Sequence, residues 1–427
     1  MNDARFRRER DQVVGEEVWT AVARNGVELR VLPTDRFREA CAVVTFGYGS
    51  TDLGFESALG RWHHSPEGVA HFLEHELFED EDLHVFERFG SRGARVNAYT
   101  SFARTTYYFQ CTSQFGANFD DLLRLCARVH LSEARVEKER GIIAQELRMY
   151  EDGPEYRGFF GLLGAMYREH PIRHPVGGTV ESIARIDVAE LDACFRAFYR
   201  AGNAGVAVAG PVQPGEVLAA LDAWELPTGA APSRHVPADL GPPVIPHVEV
   251  AMSAARPRLL LGYKDASLLD DVEARAMREL ATRVLFDRLL GATSDIREDL
   301  QRRGVLDDSL SMSYLSERNF GVAVIACETD DPVGTEAAIR GVLETPVEFD
   351  DGDLERIRRK HLGAFVRSLD SVQSMAFTLA EEALEHTEPF RAVPRMTALD
   401  RADVMARQRE LFHTELSATA VVREPKS

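Results

Sequence analysis

Gly68-Val69-Ala70-His71-Phe72-Leu73-Glu74-His75-Glu76-Leu77-Phe78 is the stretch on which the reading of this chain turns. Ser65, Pro66 and Glu67 just ahead of it supply an N-cap, a first-turn proline and a favourable charge, which predicts a helix starting there. At about 100° per residue, His71, Glu74 and His75 share one arc of that helix, opposite Val69, Ala70, Phe72, Leu73 and Leu77. The apolar face anchors the helix and the polar triplet faces a cavity. Imidazoles at i and i+4 can reach one ion, and Zn²⁺ takes His nitrogens in a tetrahedral shell that, in catalytic sites, keeps one position for water. Glu74, lying between them, is placed to take a proton from that water.

A catalytic zinc needs a third protein ligand, and the segment Val136 to Leu147 is the best source. Its helical pattern carries an apolar stripe of Val136, Ile143, Leu147 and, further on, Tyr150. Glu139 and Glu146 are seven residues apart, hence within about 20° of each other, and both border the stripe. Glu133 and Glu137 need not. Two carboxylates thus line a partly buried edge.

Outward from these helices the chain reads as α+β. Val18, Thr20, Val22 and Val27, Leu29, Val31 alternate around Arg24-Asn25-Gly26, the mark of a β-hairpin. Residues 42–48 form a short apolar strand. Helical patterns follow at 66–90, 117–129, 132–151, 156–169 and 187–200, with strands near 95–112 and 204–210. Pro214, Pro227, Pro232, Pro237, Pro242 and Pro243 crowd one stretch, which suits a linker. The second half offers strands near 247–263 and 309–328 and helices near 269–291, 333–344, 351–369 and 400–413, an order that echoes the first. The expectation is two duplicated domains, each an antiparallel-rich sheet with helices packed on one face: residues 1–212, which bear the zinc motif, a Pro-rich linker over 213–246, and a non-catalytic copy over 247–427.

The 427 residues are enough for two or three full cores. Sixty-nine acidic against 50 basic side chains give a net charge of −19, which repels nucleic acid and anionic lipid. No apolar run approaches the ~20 residues of a membrane span. Five widely spaced cysteines without a C-x-x-C pair, and no apolar stretch in the charged N-terminus, point to a cytoplasmic protein binding neither membrane nor nucleic acid. The cysteines read as buried thiols. His63, His64, His84, His130, His170 and His174 lack a helical carboxylate partner and read as surface or packing residues.

The H-x-x-E-H order in this context resembles the pitrilysin and insulinase-like metallopeptidases, the inverted zincins. By that resemblance His71, His75 and Glu146 are the ligands of one Zn²⁺ per chain, Glu74 is the general base, and Glu139 is a glutamate behind the ligands that full activity needs. Asn97-Ala98-Tyr99-Thr100, followed by Thr105 and Tyr107, resembles the family's edge strand, where Asn97 and nearby backbone, Ala98 included, bind an extended peptide as an added strand. His174-Pro175-Val176-Gly177-Gly178-Thr179 and Phe198 to Ala204 also fit the family, and Lys360, Gly363, Leu369 and Asp370 extend the likeness more faintly. Residues 141–154 and 304–331 are similar to the zinc-bearing subunit of small bacterial two-component members.

One departure bears on partners. Self-sufficient members place an Arg and, seven residues later, a Tyr on the substrate; here Arg302 and Arg303 are followed by Ser309 and Leu310, and Tyr314 belongs to the next strand. The resemblance therefore implies a zinc endopeptidase that closes on short or unfolded peptides together with a homologous partner subunit lacking the zinc motif, as a heterodimer, or else as a homodimer. The alternative is a zinc-binding, non-catalytic scaffold subunit; such relatives typically lose motif residues, and all five stand here. A mitochondrial presequence peptidase subunit is disfavoured, because acidic residues interrupt the basic N-terminus.

Overall fold

A computed structural model describes residues 3–11, 15–57, 60–79 and 85–425; His84 lies outside them. The first half supplies strands β1 (Arg7–Arg10), β2 (Glu17–Val22), β3 (Glu28–Pro33), β4 (Ala40–Phe46), β5 (Gly54–Glu56), β6 (Trp62–His64), β7 (Arg95–Thr100), β8 (Thr105–Cys111) and β9 (Ala204–Gly210). Its helices are α1 (Val69–Leu77), α2 (Val85–Gly90), α3 (Phe115–Ala127), α4 (Glu133–Glu151), α5 (Pro154–Met166), α6 (Val180–Ile183), α7 (Val188–Phe198) and α8 (Pro214–Ala223). The second half supplies β10 (His247–Ala251), β11 (Arg258–Lys264), β12 (Ser311–Ser316), β13 (Gly321–Glu328) and β14 (Ser417–Arg423). With them come α9 (Val272–Leu290), α10 (Asp295–Arg302), α11 (Pro332–Leu343), α12 (Asp351–Ser368), α13 (Val372–Leu384), α14 (Ala392–Ala398) and α15 (Arg401–Leu411).

The strand order shows the duplication. One sheet runs β1-β2-β3-β9-β4-β8-β7 and the other β10-β14-β11-β13-β12. In the first, β3 pairs parallel with β9, and β9-β4, β4-β8 and β8-β7 are antiparallel. In the second, β10 pairs parallel with β14, and β14-β11, β11-β13 and β13-β12 are antiparallel. The expected hairpin is β2-β3, turning at Gly26 with φ +98°, a value that suits glycine.

Sequence alternation explains why β4 is buried at every residue. Ala42, Val44 and Phe46 face a core shared with α1, α2, α3, α7 and α8, while Cys41 and Val43 face the other way. That second face, with Val18, Leu32, Ala207 and Ala209, is covered by Val372, Met375, Ala376, Leu379 and Ala380 of α13. Reciprocally, α5 lies on β10, β11 and β14. Most helices thus pack on one face of each sheet, and the opposite face takes one helix from the other half.

The compact units are accordingly discontinuous. One comprises residues 1–147, 175–235 and 365–390; the other comprises 148–174, 236–364 and 391–427. The simple division at 212 and 247 is crossed twice, because the apolar faces of α5 and α13 find their partners in the opposite sheet. The Pro-rich stretch is also less of a free linker than expected. Pro214 starts α8, whose Val217, Leu218 and Leu221 are buried, and Arg234 pairs with Asp52 at 3.1 Å. Beyond it, Asp239 binds Lys264 Nζ at 2.9 Å.

The helix expected from Ser65 starts at Val69 instead. Ser65 turns inward, its N–H bonding Leu53 O at 2.8 Å and its Oγ lying 3.3 Å from Cys194 Sγ. Gly68 precedes the helix at φ +90°, and a Cβ there would lie 2.3 Å from Gly177 O. All five cysteines are free and buried. Among the described residues no helix is long and apolar enough to cross a membrane.

Candidate metal centre

Val69, Ala70, Phe72, Leu73 and Leu77 bury one side of α1, which packs on β7, β8 and α7. The other side presents His71 and His75, whose ring centroids are 4.7 Å apart. The helix α4, seated by Val136, Ile143, Ala144 and Leu147, brings Glu146 to them. Glu146 Oε2 lies 3.3 Å from His75 Nε2 and 3.8 Å from His71 Nε2. Tyr150, expected on that apolar stripe, is exposed and stacks on Tyr156.

One donor atom from each of His71, His75 and Glu146 lies within 4.8 Å of the others, and no other such convergent group of three occurs among the described residues. Two imidazoles and a carboxylate are a donor set that suits a catalytic zinc. Glu139, almost wholly buried, accepts or shares a proton with His75 Nδ1 at 2.7 Å. That bond leaves Nε2 facing the centre, the carboxylate–histidine arrangement that orients a metal ligand.

The electrostatics also favour a cation. Burial, with His75 adding, holds the His71 imidazole down at about 4, so it stays neutral. Burial opposes charge on His75 too, but the bonds to Glu139 and Glu146 prevail and lift it to about 10. Without a metal, the two carboxylates therefore keep a proton on His75; a dication would meet the same field.

Glu74 is 9% exposed. Burial raises its carboxyl above the ordinary range, opposed by the hydroxyl of Thr100, which donates to Oε2 at 2.5 Å. A raised pKa brings a carboxylate closer to the value useful for a base near neutrality. Asn97 and Ala98 lie on β7, the outermost strand of its sheet beyond β8. Asn97 is exposed, and its Oδ1 accepts the Ala98 N–H at 2.9 Å, so an added strand would have to take over a bond already made.

The structure thus gathers His71, His75, Glu139 and Glu146 around one point, with Glu74 on the same helix, and puts Asn97 and Ala98 on the edge strand. Sequence reasoning did not assign three further residues. Thr100 holds Glu74. A Cβ on Gly177 would lie 2.7 Å from Leu147 Cδ2 and 3.3 Å from His71 Nδ1, so a side chain there would crowd both helices of the centre. Glu76 is fully buried, neither of its oxygens has a hydrogen bond, and burial pushes its carboxyl up to about 7. Gly177 and Thr100 stand in two stretches that resemble the family, 174–179 and 97–100; Glu76 carries no such signal. Of the remaining histidines, His63 bonds Glu190 at 2.8 Å, and buried His170 accepts the Ile172 N–H at 3.1 Å.

Residues 60–180, which hold every one of these site residues, match the model of the family described as Insulinase (Peptidase family M16). Over 411 residues the chain is 33% identical to the uncharacterized zinc protease YmfH of Bacillus subtilis (strain 168), spanning 94% of this chain and 95% of that protein. The chain belongs to the M16 peptidase family. An M16-like peptidase from Alicyclobacillus acidocaldarius has a crystal structure that matches with a TM-score of 0.91 at 30% identity, over 96% of this chain and 99% of that one. The M16 inactive domain from Pseudomonas fluorescens, at 15% identity and a TM-score of 0.80, shares the M16 fold over 96% of this chain and 98% of its own.

Proposed function

We propose that the protein is a zinc-dependent endopeptidase acting on short or unfolded polypeptides. The observation that carries this reading is the convergence of His71, His75 and Glu146 beside a buried carboxylate, Glu74, on the same helix. Zinc held by those three side chains would supply the Lewis acidity that makes water nucleophilic near neutral pH and polarises a carbonyl. Glu139 holds the His75 ring through Nδ1. Thr100 occupies Oε2 of Glu74, which leaves Oε1 to accept the proton of the attacking water and pass it to the leaving amine. An extended peptide adds to the open edge of β7 at Asn97 and Ala98, where main-chain bonding admits unfolded chains in preference to folded ones.

The reading includes a partner subunit. No tyrosine stands at 309 or 310, and the Tyr314 hydroxyl is already engaged, donating to Asp265 at 2.6 Å. A homologous subunit without the zinc motif would supply the missing substrate contacts in a heterodimer; a homodimer is the other arrangement. Five free, buried thiols support a cytoplasmic setting.

The test is to purify the chain, measure bound zinc, and follow cleavage of an unstructured quenched peptide with and without chelator and with a homologous partner. Zinc near one per chain and chelator-sensitive cleavage are expected, with Glu74→Gln keeping zinc and losing turnover. Activity of the chain alone would remove the partner. Bound zinc without cleavage under any combination would favour the scaffold reading.

A further inference from the structure

We infer that Thr100 is the positioning residue for Glu74, fixing which carboxylate oxygen is open to a proton and tying the base to the strand that would receive substrate. The inference rests on the peptidase reading above.

The Thr100 hydroxyl makes the one hydrogen bond to the Glu74 carboxylate found among the described residues, at 2.5 Å. An ionised carboxylate only accepts, so the hydroxyl proton must point to it. The neighbouring hydroxyl does not compete. Thr105 stands opposite Thr100 in the β7-β8 register, 3.4 Å away through Oγ1, and donates its own proton to Tyr48 O at 2.8 Å. Both protons are thereby assigned.

The strand geometry links this bond to substrate binding. Alternation puts Ala98 and Thr100 on one face of β7, the face on which Ala98 packs against the core that includes α1. The main chain at the same residues forms the free edge of the sheet. A carboxylate that is nearly buried and has one hydrogen bond is free to rotate once that bond is removed. Thr100 therefore sets the direction in which Glu74 presents its free oxygen, and does so from the strand that the peptide would extend.

The experiment compares zinc-loaded wild-type protein, with its partner if one is needed, with Thr100→Val, which keeps the shape and loses the hydroxyl, and Thr100→Ser, which keeps the hydroxyl. Thr100→Ala serves as a second hydroxyl-free variant should the valine protein fold poorly. Zinc content is expected to stay at the wild-type level in all. Since general-base catalysis contributes roughly 10²- to 10⁴-fold, losing the base's alignment should lower kcat by about 10- to 100-fold, with KM little changed. Thr100→Ser should restore most of kcat. Crystal structures of the zinc-loaded variants should show the Glu74 carboxylate turned in Thr100→Val and unmoved in Thr100→Ser. Wild-type kcat in Thr100→Val, or equal losses in the valine and serine proteins, would overturn the inference. If the wild-type protein cuts no peptide at all, it is the peptidase reading that fails, and the structures still decide: a Glu74 carboxylate unmoved in Thr100→Val removes the positioning role.

Discussion

The two sheets share a strand order, yet the helix pairs α1/α4 and α9/α12, which follow corresponding strands, end in opposite chemistry. In the first pair, two imidazoles and Glu146 face one another, with Glu139 behind them. In the second, Asp287 of α9 meets Lys360 and His361 of α12, with the His361 Nε2 contact at 2.8 Å. One junction holds carboxylates in excess of its own cations and so has use for an added one. The other neutralises its carboxylate from within. The shared topology builds a helix junction twice, and a few side chains decide whether it is a candidate metal centre or a structural ion pair.

The largest effect should come from giving the first junction the character of the second. His75→Lys should abolish stoichiometric zinc, read by metal analysis, and with it about 10³-fold or more of chelator-sensitive cleavage. A variant that still binds one zinc would break the comparison.

The exchanged helices offer the next contrast. A Cβ on Gly205 of β9 would lie 2.4 Å from Ala380 O and 2.5 Å from Leu384 N of α13. On Gly262 of β11 it would meet Met166 Sδ of α5, at 2.5 Å. Backbone cannot yield, whereas a methionine side chain can. Gly205→Ala should therefore cost about 2–3 kcal/mol and Gly262→Ala about 1 kcal/mol or less in denaturant unfolding. Equal losses would show that the two docking faces are alike after all.

Within the metal junction, Glu139→Gln keeps the shape but weakens the hold on His75, and should lower zinc affinity about 10- to 100-fold by chelator competition. An unchanged affinity would mean that Glu139 supports α4 and not the imidazole.

The smallest effect belongs to the ion pair. Burial alone would raise the Asp287 carboxyl, but His361 and Lys360 hold it below the usual carboxylate range. A folded value below the unfolded one stabilises above the unfolded pKa and fades as pH falls through the folded one. Because Lys360 is half exposed, Asp287→Asn should cost only about 1 kcal/mol at neutral pH. That gap from wild type should close below about pH 4 in thermal melts. A gap that persists in acid would assign the loss to packing.

The metal junction was more legible in sequence than the packing of the fold around it. His71, Glu74, His75, Glu139 and Glu146 are selected by helical spacing on two segments, and spacing survives an error in where a helix begins. The cap at Ser65 was such an error: Ser65 is drawn towards Cys194, and Gly68 takes the turn for which only glycine has room. Thr100 escaped because a hydroxyl names no partner, and its carboxylate stands 26 residues away. The helices expected in the second half omit α13, although Val372, Met375, Ala376, Leu379, Ala380 and Ala383 form a buried helical stripe. Such a stripe says that a helix is covered, never which sheet covers it. The prolines misled in a similar way, since Pro214 opens a helix and does not mark a free spacer.

The helix exchange also constrains how the molecule is made. When β1 through β9 have left the ribosome, the strands of the first sheet are all present, but one face still displays Val18, Leu32, Val43, Ala207 and Ala209 without the helix that covers them. That helix, α13, is synthesised after four of the five strands of the second sheet. The nascent chain must therefore carry an uncovered apolar sheet face from the completion of β9 until α13 is made, a surface suited to a holding chaperone. Completion of both units waits on α13 and β14, which are made after the strands they cover or join.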